Sequence, residues 1–263
     1  MSFSDGKKGS TLCVLEVVRT ERISPNFMRI TLGGEQLKPL QKHGFDHWFR
    51  LFLPQEHGET SFDLPDRVDM LGYLKYLRMP GSVRPPMRNY TVRDYRPETL
   101  ELDIDFVVHG DEGLATRWAT RTVAGDKVAL LDQGRAYEGS DDADQHLLVT
   151  DETGLPAVAG ILRDLPRDAR GIAIIEIPDA ADAQAVDAPP AFDVRWVVRP
   201  AGDKPGTAAL EAARQLPVPS GSISVYVVGE QSLPVGLRRH LVEQGVPKKS
   251  IQFQGYWRLG KGH

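Results

Sequence analysis

The chain is short of several things that would fix its class. It has one cysteine in 263 residues, Cys13. A lone thiol makes no intramolecular disulfide, which excludes a disulfide-stapled scaffold and fits a reducing compartment. The surrounding Thr11-Leu12-Cys13-Val14-Leu15 reads as a buried strand, so inert packing is expected of Cys13 rather than redox chemistry. No apolar run approaches a membrane span, and the polar opening Met1–Lys8 lacks the hydrophobic stretch of a signal peptide. A cytoplasmic protein is therefore expected. Charge of one sign is also lacking: 32 Lys+Arg against 36 Asp+Glu leave a net charge of −4, which gives no bulk footing for nucleic acid. No phosphate-binding P-loop string, no G-x-S-x-G nucleophile turn and no internal repeat is present. His43, His47 and His57 match no zinc spacing and read as scattered loop residues, so no protein-bound metal is expected.

What is present is an ordinary globular composition, 41% hydrophobic and 26% charged, in a chain long enough for about two domains. The first half reads as short strands: Thr11–Thr20, Phe27–Leu32, Trp48–Leu53, Tyr90–Asp94, Leu100–His109 and Lys127–Leu131. Leu102, Ile104 and Phe106 alternate with Asp103, Asp105 and Val107, so one face of that strand is apolar. This pattern predicts an antiparallel β-barrel or sandwich. A long insert, Pro54–Pro86, interrupts it, with a helical turn expected near Asp69–Arg78. The second half changes period. Strands at Leu147–Val149, Ile172–Ile177, Val194–Val198, Ser224–Val228 and Ile251–Tyr256 alternate with helices at Pro156–Leu165, Thr207–Gln215 and Pro234–Gln244. Alternation of this kind predicts a parallel sheet in a smaller α/β domain. The acidic stretch Ser140–Asp144 reads as a solvated linker, giving domains 1–140 and 145–263.

The richest stretch lies in the first domain. Arg88-Asn89-Tyr90-Thr91 sets a guanidinium beside an aromatic ring and a hydroxyl, groups that suit a phosphate and a flat heterocycle together. Arg88 would take a pyrophosphate, Tyr90 would lie against a ring system and Thr91 near its edge. The strand Asp103–Gly110 follows, in which Asp105 is a candidate acceptor for ribityl or adenosine hydroxyls and His109 could face a phosphate, stack near adenine or be satisfied by backbone. Next comes Gly113-Leu114-Ala115-Thr116-Arg117-Trp118. Small residues at Gly113 and Ala115 let backbone N–H groups approach phosphate at a helix start, and Thr116 adds a hydroxyl. Trp118 reads as core. Together these parts point to a flavin dinucleotide.

The ordered motifs resemble the siderophore-interacting protein family, flavin-dependent ferric-siderophore reductases of the ferredoxin-reductase-like superfamily. Its R-x-Y-T string is Arg88–Thr91, its D-F-V-x-H-G strand end, which includes Val107, is Asp105–Gly110, and its G-x-A-(S/T)-x-W-A helix start is Gly113–Ala119. The family's D-E-T-x-L-P turn is Asp151–Pro156, and its G-Y-W-R-x-G terminus is Gly255–Gly260. The resemblance implies a noncovalent FAD and electron delivery to Fe(III) in a ferric siderophore. NADH, NADPH or a reduced ferredoxin remain open as donor. It also implies Thr153 at the flavin edge and Tyr256 and Trp257 beside the ring. Arg50, Arg258 and Lys261 would form a basic mouth for an anionic chelate. Arg50 stands where the family usually has lysine. The chain is expected to act as a monomer.

Where a related reductase carries a glycine-rich pyrophosphate loop, this chain has Asp151 and Thr153, with Glu152 adding charge. That weakens tight dinucleotide binding there. Asp151, with Gly229 and Glu230 after a later strand, marks the expected electron-donor side. Two competing readings remain open: a general flavin reductase with another acceptor, and a noncatalytic protein that holds ferric siderophore.

Overall fold

The computed structural model describes residues 11–65, 70–108, 113–140, 143–217 and 221–260. The chain divides into two units. The first comprises Met1–Ile23, Phe27–His43 and His47–Ala136; the second comprises Ser24–Asn26, Gly44–Asp46 and Tyr137–His263.

The first unit is an antiparallel sheet of seven strands: β1 (Leu12–Ser24), β2 (Phe27–Gly33), β3 (Trp48–Phe52), β4 (Met87–Thr91), β5 (Asp94–Arg96), β6 (Glu101–Val107) and β7 (Lys127–Gly134). Their order is β4-β3-β7-β1-β2-β6-β5. The sheet curls like a barrel, but the two edge strands share no ladder. Tyr90 on β4 meets Phe106 on β6 across the interior, ring centroids 4.3 Å apart. Period-2 alternation fills this interior with Leu15, Ile30, Leu32, Phe49, Leu51, Ile104 and Phe106. Cys13 is buried as well; burial pushes its thiol up to about 11, which suits packing.

The insert between β3 and β4 is not merely a loop. Helix α1 (Met70–Arg78) and its flanks set Tyr76, Leu64 and Met79 against Phe52, Ala129 and Leu131, on the opposite face of β3 and β7. That cover explains why β7 is buried on both faces. Asp69, where the sequence starts this helix, lies outside the described residues. Helix α2 (Leu114–Arg121) packs on the sheet through Leu114, Ala115 and Trp118.

The second unit is a five-stranded parallel sheet of β8 (Gln145–Thr150), β9 (Arg170–Ile177), β10 (Ala191–Val198), β11 (Ile223–Glu230) and β12 (Ile251–Trp257), ordered β10-β9-β8-β11-β12. Helices α3 (Leu155–Asp164), α4 (Thr207–Arg214) and α5 (Ser232–Glu243) connect the strands. Every residue of β11 is buried, as a central parallel strand requires. The chain steps outward from β8 through β9 to β10, then crosses back to β11. The strand order therefore reverses between β8 and β11, and crevices at such points receive ligands. Among the described residues, no helix is long and apolar enough to cross a membrane.

Candidate functional site

In the first unit, hydrogen bonds from Val92 N–H to His47 C=O and from Leu53 N–H to Pro86 C=O fix the parity of the β3–β4 ladder. Even-numbered residues of β4 bond to β3. The backbone of Asn89 and Thr91 therefore points to the open edge of the sheet. Side chains alternate, so Arg88 and Tyr90 share the interior face with Leu51 and Phe49, while Thr91 turns to the other. Thr91 is buried. Tyr90, Phe106 and Trp118 form an aromatic column, with Phe106 and Trp118 5.4 Å apart. Burial pushes the Tyr90 hydroxyl well above its ordinary value, and the charge of Arg88 opposes this.

Arg88 differs from Arg29, Arg93 and Arg96 of the same sheet. Its guanidinium donates to the Met87 carbonyl at 2.8 Å and, among the described residues, meets no carboxylate. Arg29, Arg93 and Arg96 are each bound to carboxylates of β6. Helix α2 opens at Gly113, whose φ of 94° favours glycine, and among the described residues no side chain caps its first turn. Beside α2 lies a cavity of about 460 Å³, lined by Pro54, Phe62, Leu114, Arg117, Trp118 and Arg121. The buried indole Nε1 of Trp118 has no hydrogen-bond partner among the described residues. A guanidinium without a carboxylate, a helix opening at glycine, the half-buried Tyr90 and Trp118 rings and the Trp118 Nε1 donor fit the phosphates and rings of FAD. Thr116 is less available than expected, since its hydroxyl donates to the Val107 carbonyl, though at a long 3.4 Å.

Asp105 departs from its expected role. Its side chain is fully enclosed, with Arg29 Nε 2.7 Å from Oδ1 and Arg29 Nη2 2.8 Å and Arg93 Nε 3.2 Å from Oδ2. Both oxygens are committed to the fold, and none reaches a surface where a ribityl or adenosine hydroxyl could meet it. The face of β6 opposite its apolar side is thus a buried ion-pair layer. Thr31 and Arg96 hold Asp103 in the same way. The available sequence signal was the phase of Arg29 and Thr31, which alternate against Ile30 and Leu32 on the partner strand.

In the second unit, the ends of β8, β11 and β12 converge on Asp151. Its Oδ1 accepts the Thr153 amide at 2.9 Å and the Thr153 hydroxyl; its Oδ2 accepts the Glu230 amide at 2.6 Å and Trp257 Nε1 at 3.2 Å. Gly229 makes this possible. Its φ is 127°, and a Cβ there would stand 2.7 Å from the Asp151 carboxylate. Burial, with the neighbouring Glu152 charge, pushes Asp151 up to about 7 against these hydrogen bonds. Glu152 turns inward to Arg199, which also binds Glu176. Burial raises Glu230, but hydrogen bonds from Ser232 and the Leu259 amide, with the Arg258 charge, hold it below its usual value. The structure thus joins Asp151, Thr153, Gly229, Glu230 and Trp257. Tyr256 is set apart, its hydroxyl 2.9 Å from that of buried Tyr226, which donates to Asp46 at 3.0 Å. The start of α3 is sealed by buried Leu155, Pro156 and Ala157, so no open helix end faces a pyrophosphate there.

The expected basic mouth is spread over both units. Arg50 lies in β3 on the face opposite Arg88, opposite Asn89 and Leu131 in register, and burial lowers its guanidinium below the ordinary value. Arg258 is exposed in the second unit. Lys261 and His109 lie outside the described residues. The structure also assembles what spacing left scattered: His43 and His47 meet at Asp132.

Comparison with known proteins agrees with this geometry. Residues 16–137 match the siderophore-interacting FAD-binding domain, and residues 143–260 match the siderophore-interacting protein model. The ferric vibriobactin reductase ViuB of Vibrio cholerae is 31% identical over 252 residues, 94% of this chain and 90% of that protein. The NADPH-dependent ferric-chelate reductase of Escherichia coli is 31% identical over 246 residues, 92% and 91% of the two chains. The crystal structure of a siderophore utilization protein from T. fusca superposes with a TM-score of 0.80 at 36% identity, covering 97% of this chain and 95% of that one. At the level of fold alone, a ferredoxin NADP+ reductase from Neisseria gonorrhoeae gives a TM-score of 0.63 at 12% identity, covering 94% and 99%. The chain belongs to the siderophore-interacting protein family, as an FAD-dependent oxidoreductase of ferredoxin-reductase-like fold.

Proposed function

We propose that this protein reduces Fe(III) held in a ferric siderophore to Fe(II), with electrons from NAD(P)H or a reduced ferredoxin passing through FAD. The iron is substrate. Hard oxygen donors hold ferric iron far more tightly than ferrous iron, so reduction loosens the chelate. The observation that carries the reading is Arg88: a half-buried guanidinium that meets no carboxylate among the described residues, beside the Tyr90–Phe106–Trp118 column. The reductases ViuB and the E. coli ferric-chelate reductase support the acceptor.

FAD supplies the capacity to take two electrons as hydride and pass them on singly. The chain's own residues bind and orient it. Arg88 and the first-turn amides of α2 neutralise the pyrophosphate, and Gly113 and Ala115 allow its close approach. Tyr90 presents an aromatic face, and Thr91 offers its edge-facing backbone. Trp118 Nε1 and the cavity beside α2 suit the adenosine end. Val107 holds Thr116 in place. In the second unit Asp151 fixes Thr153, the Glu230 amide and Trp257 in one hydrogen-bonded group, and Asp151, Gly229 and Glu230 form the electron-donor side. Arg258 attracts an anionic chelate, and Arg50 acts from its half-buried site on β3.

Reduced ferredoxin is favoured as a second donor by one observation. The turn that would cradle a nicotinamide dinucleotide's pyrophosphate carries Asp151 and Thr153 where glycines would stand, and buried Leu155, Pro156 and Ala157 open α3 behind it. The test is anaerobic. The FAD-loaded protein is reduced with NADH, NADPH or reduced ferredoxin, then mixed with ferric hydroxamate and catecholate chelates. Flavin reoxidation is followed beside ferrous iron captured by a chelating dye. Reoxidation with stoichiometric ferrous release supports the reading. Reoxidation by quinone alone would make the protein a general flavin reductase, and chelate binding without reoxidation a noncatalytic holder.

A further inference from the structure

Three side chains of the first unit meet at a place the flavin reading does not use. Asp132 lies near the end of β7, and His43 and His47 flank the non-helical turn before β3. His47 Nε2 is 2.7 Å from Asp132 Oδ1, and His43 Nε2 is 3.4 Å from Oδ2. The two imidazoles meet edge to face, with centroids 4.8 Å apart and planes at 88°. One ligand atom from each residue falls within 4.8 Å of the others. The side chains of His47 and Asp132 are 3% and 8% exposed, whereas that of His43 is 32% exposed. The cluster is enclosed on two sides and open on the third.

We propose that His43, His47 and Asp132 bind one divalent first-row transition cation. Two ligands each about 2.1 Å from a tetrahedral ion stand about 3.4 Å apart. The His43–Asp132 separation already has that value, and the shorter His47–Asp132 contact is a hydrogen bond that an ion would replace. Two imidazole nitrogens and one carboxylate suit zinc or ferrous iron, whereas calcium and magnesium prefer all-oxygen cages. Three protein ligands leave a position on the exposed His43 side for water. The ligands are also pre-positioned. The Gly134 amide donates to Asp132 Oδ1 at 2.9 Å, orienting the carboxylate as an outer partner does in metal sites. Between the histidines the backbone passes through φ of 66° at Gly44 and 51° at Phe45. A bulky residue in the left-handed region is uncommon. That turn brings two rings four residues apart into contact without a helix.

The experiment is calorimetric titration of the FAD-loaded full chain with zinc(II) at neutral pH, with magnesium(II) as a second arm. One zinc per chain and no magnesium binding are expected. His43→Ala removes a partly exposed ligand and should weaken zinc at least about tenfold. Asp132→Asn should do the same, and His240→Ala on α5 should leave the titration unchanged. Imidazole nitrogen spectra should shift at Nε2 of both His43 and His47 on adding zinc. If Asp132→Asn fails to fold, His43→Ala decides alone. Absence of stoichiometric zinc, or a titration that His43→Ala leaves intact, overturns the site and leaves a hydrogen-bonded fastening between turn and strand.

Discussion

Asp105 in the first unit and Asp151 in the second are both buried carboxylates at sequence positions that read as ligand contacts. Asp105 is met by two guanidinium groups, from Arg29 and Arg93. Asp151 is met by two amides, a hydroxyl and an indole N–H, all neutral. A paired cation offsets the desolvation of a buried carboxylate; neutral donors do so only in part. Asp103, on the same face of β6, follows the first pattern. Burial raises Asp103, yet hydrogen bonds from Arg96 and Thr31 and nearby arginine charge bring it below its ordinary value, whereas Asp151 rises to about 7. The first unit closes the carboxylates of β6 onto Arg29, Arg93 and Arg96, and Arg88 takes no part in that layer. The second leaves a proton-sensitive carboxyl among its strand ends.

The sharpest way to break this contrast is to remove the cations. Arg199→Ala strands Glu152 and Glu176 in the interior and should cost about 3–5 kcal/mol in urea unfolding. Asp105→Ala should cost a comparable amount by leaving Arg29 uncompensated, while the folded fraction keeps its FAD. Loss of FAD from well-folded Asp105→Ala would return Asp105 to the ligand set. Arg88→Ala should do the reverse: stability little changed, and FAD affinity down by about ten- to a hundredfold, read as flavin absorbance per chain. Full occupancy would remove Arg88 from the pyrophosphate.

Asp151 gives a graded effect. Its folded value lies above the ordinary 3.8, so over the interval up to about 7 the folded chain holds a proton that the unfolded chain has released. Its contribution is full below the unfolded value and is lost as pH rises through the folded one. Wild type should therefore lose thermal stability relative to Asp151→Asn between about pH 4 and about pH 7 and run parallel to it above that. Parallel curves would show that the four donors win outright. The smallest effect is expected at the exposed Arg258. Arg258→Glu should raise KM for an anionic chelate several-fold, within about 1 kcal/mol, and leave turnover of a neutral acceptor unchanged.

Much of the architecture was legible because it rests on local periodicity. β-Branched content marked β1, alternation marked β2 and β6, an apolar run marked β3, and the change to alternating strands and helices marked the second unit. The Arg88–Tyr90 pair could be placed on one face from pleat alone. Long-range pairing could not. Nothing near Asp105 in sequence announces Arg29, 76 residues away. Glu152 reads as an exposed helix-start charge until Arg199, 47 residues on, turns it inward. His43 and His47 match no metal spacing because the third member, Asp132, arrives from β7.

The amino-acid sequence alone determined the two-part architecture, the flavin-type motifs and the lack of a glycine-rich dinucleotide loop, since each depends on residues close together along the chain. The folded structure alone decided which charges face ligand and which face each other. That choice depends on strand register and sheet order, and burial makes every polar group there find whatever partner the fold brings to it.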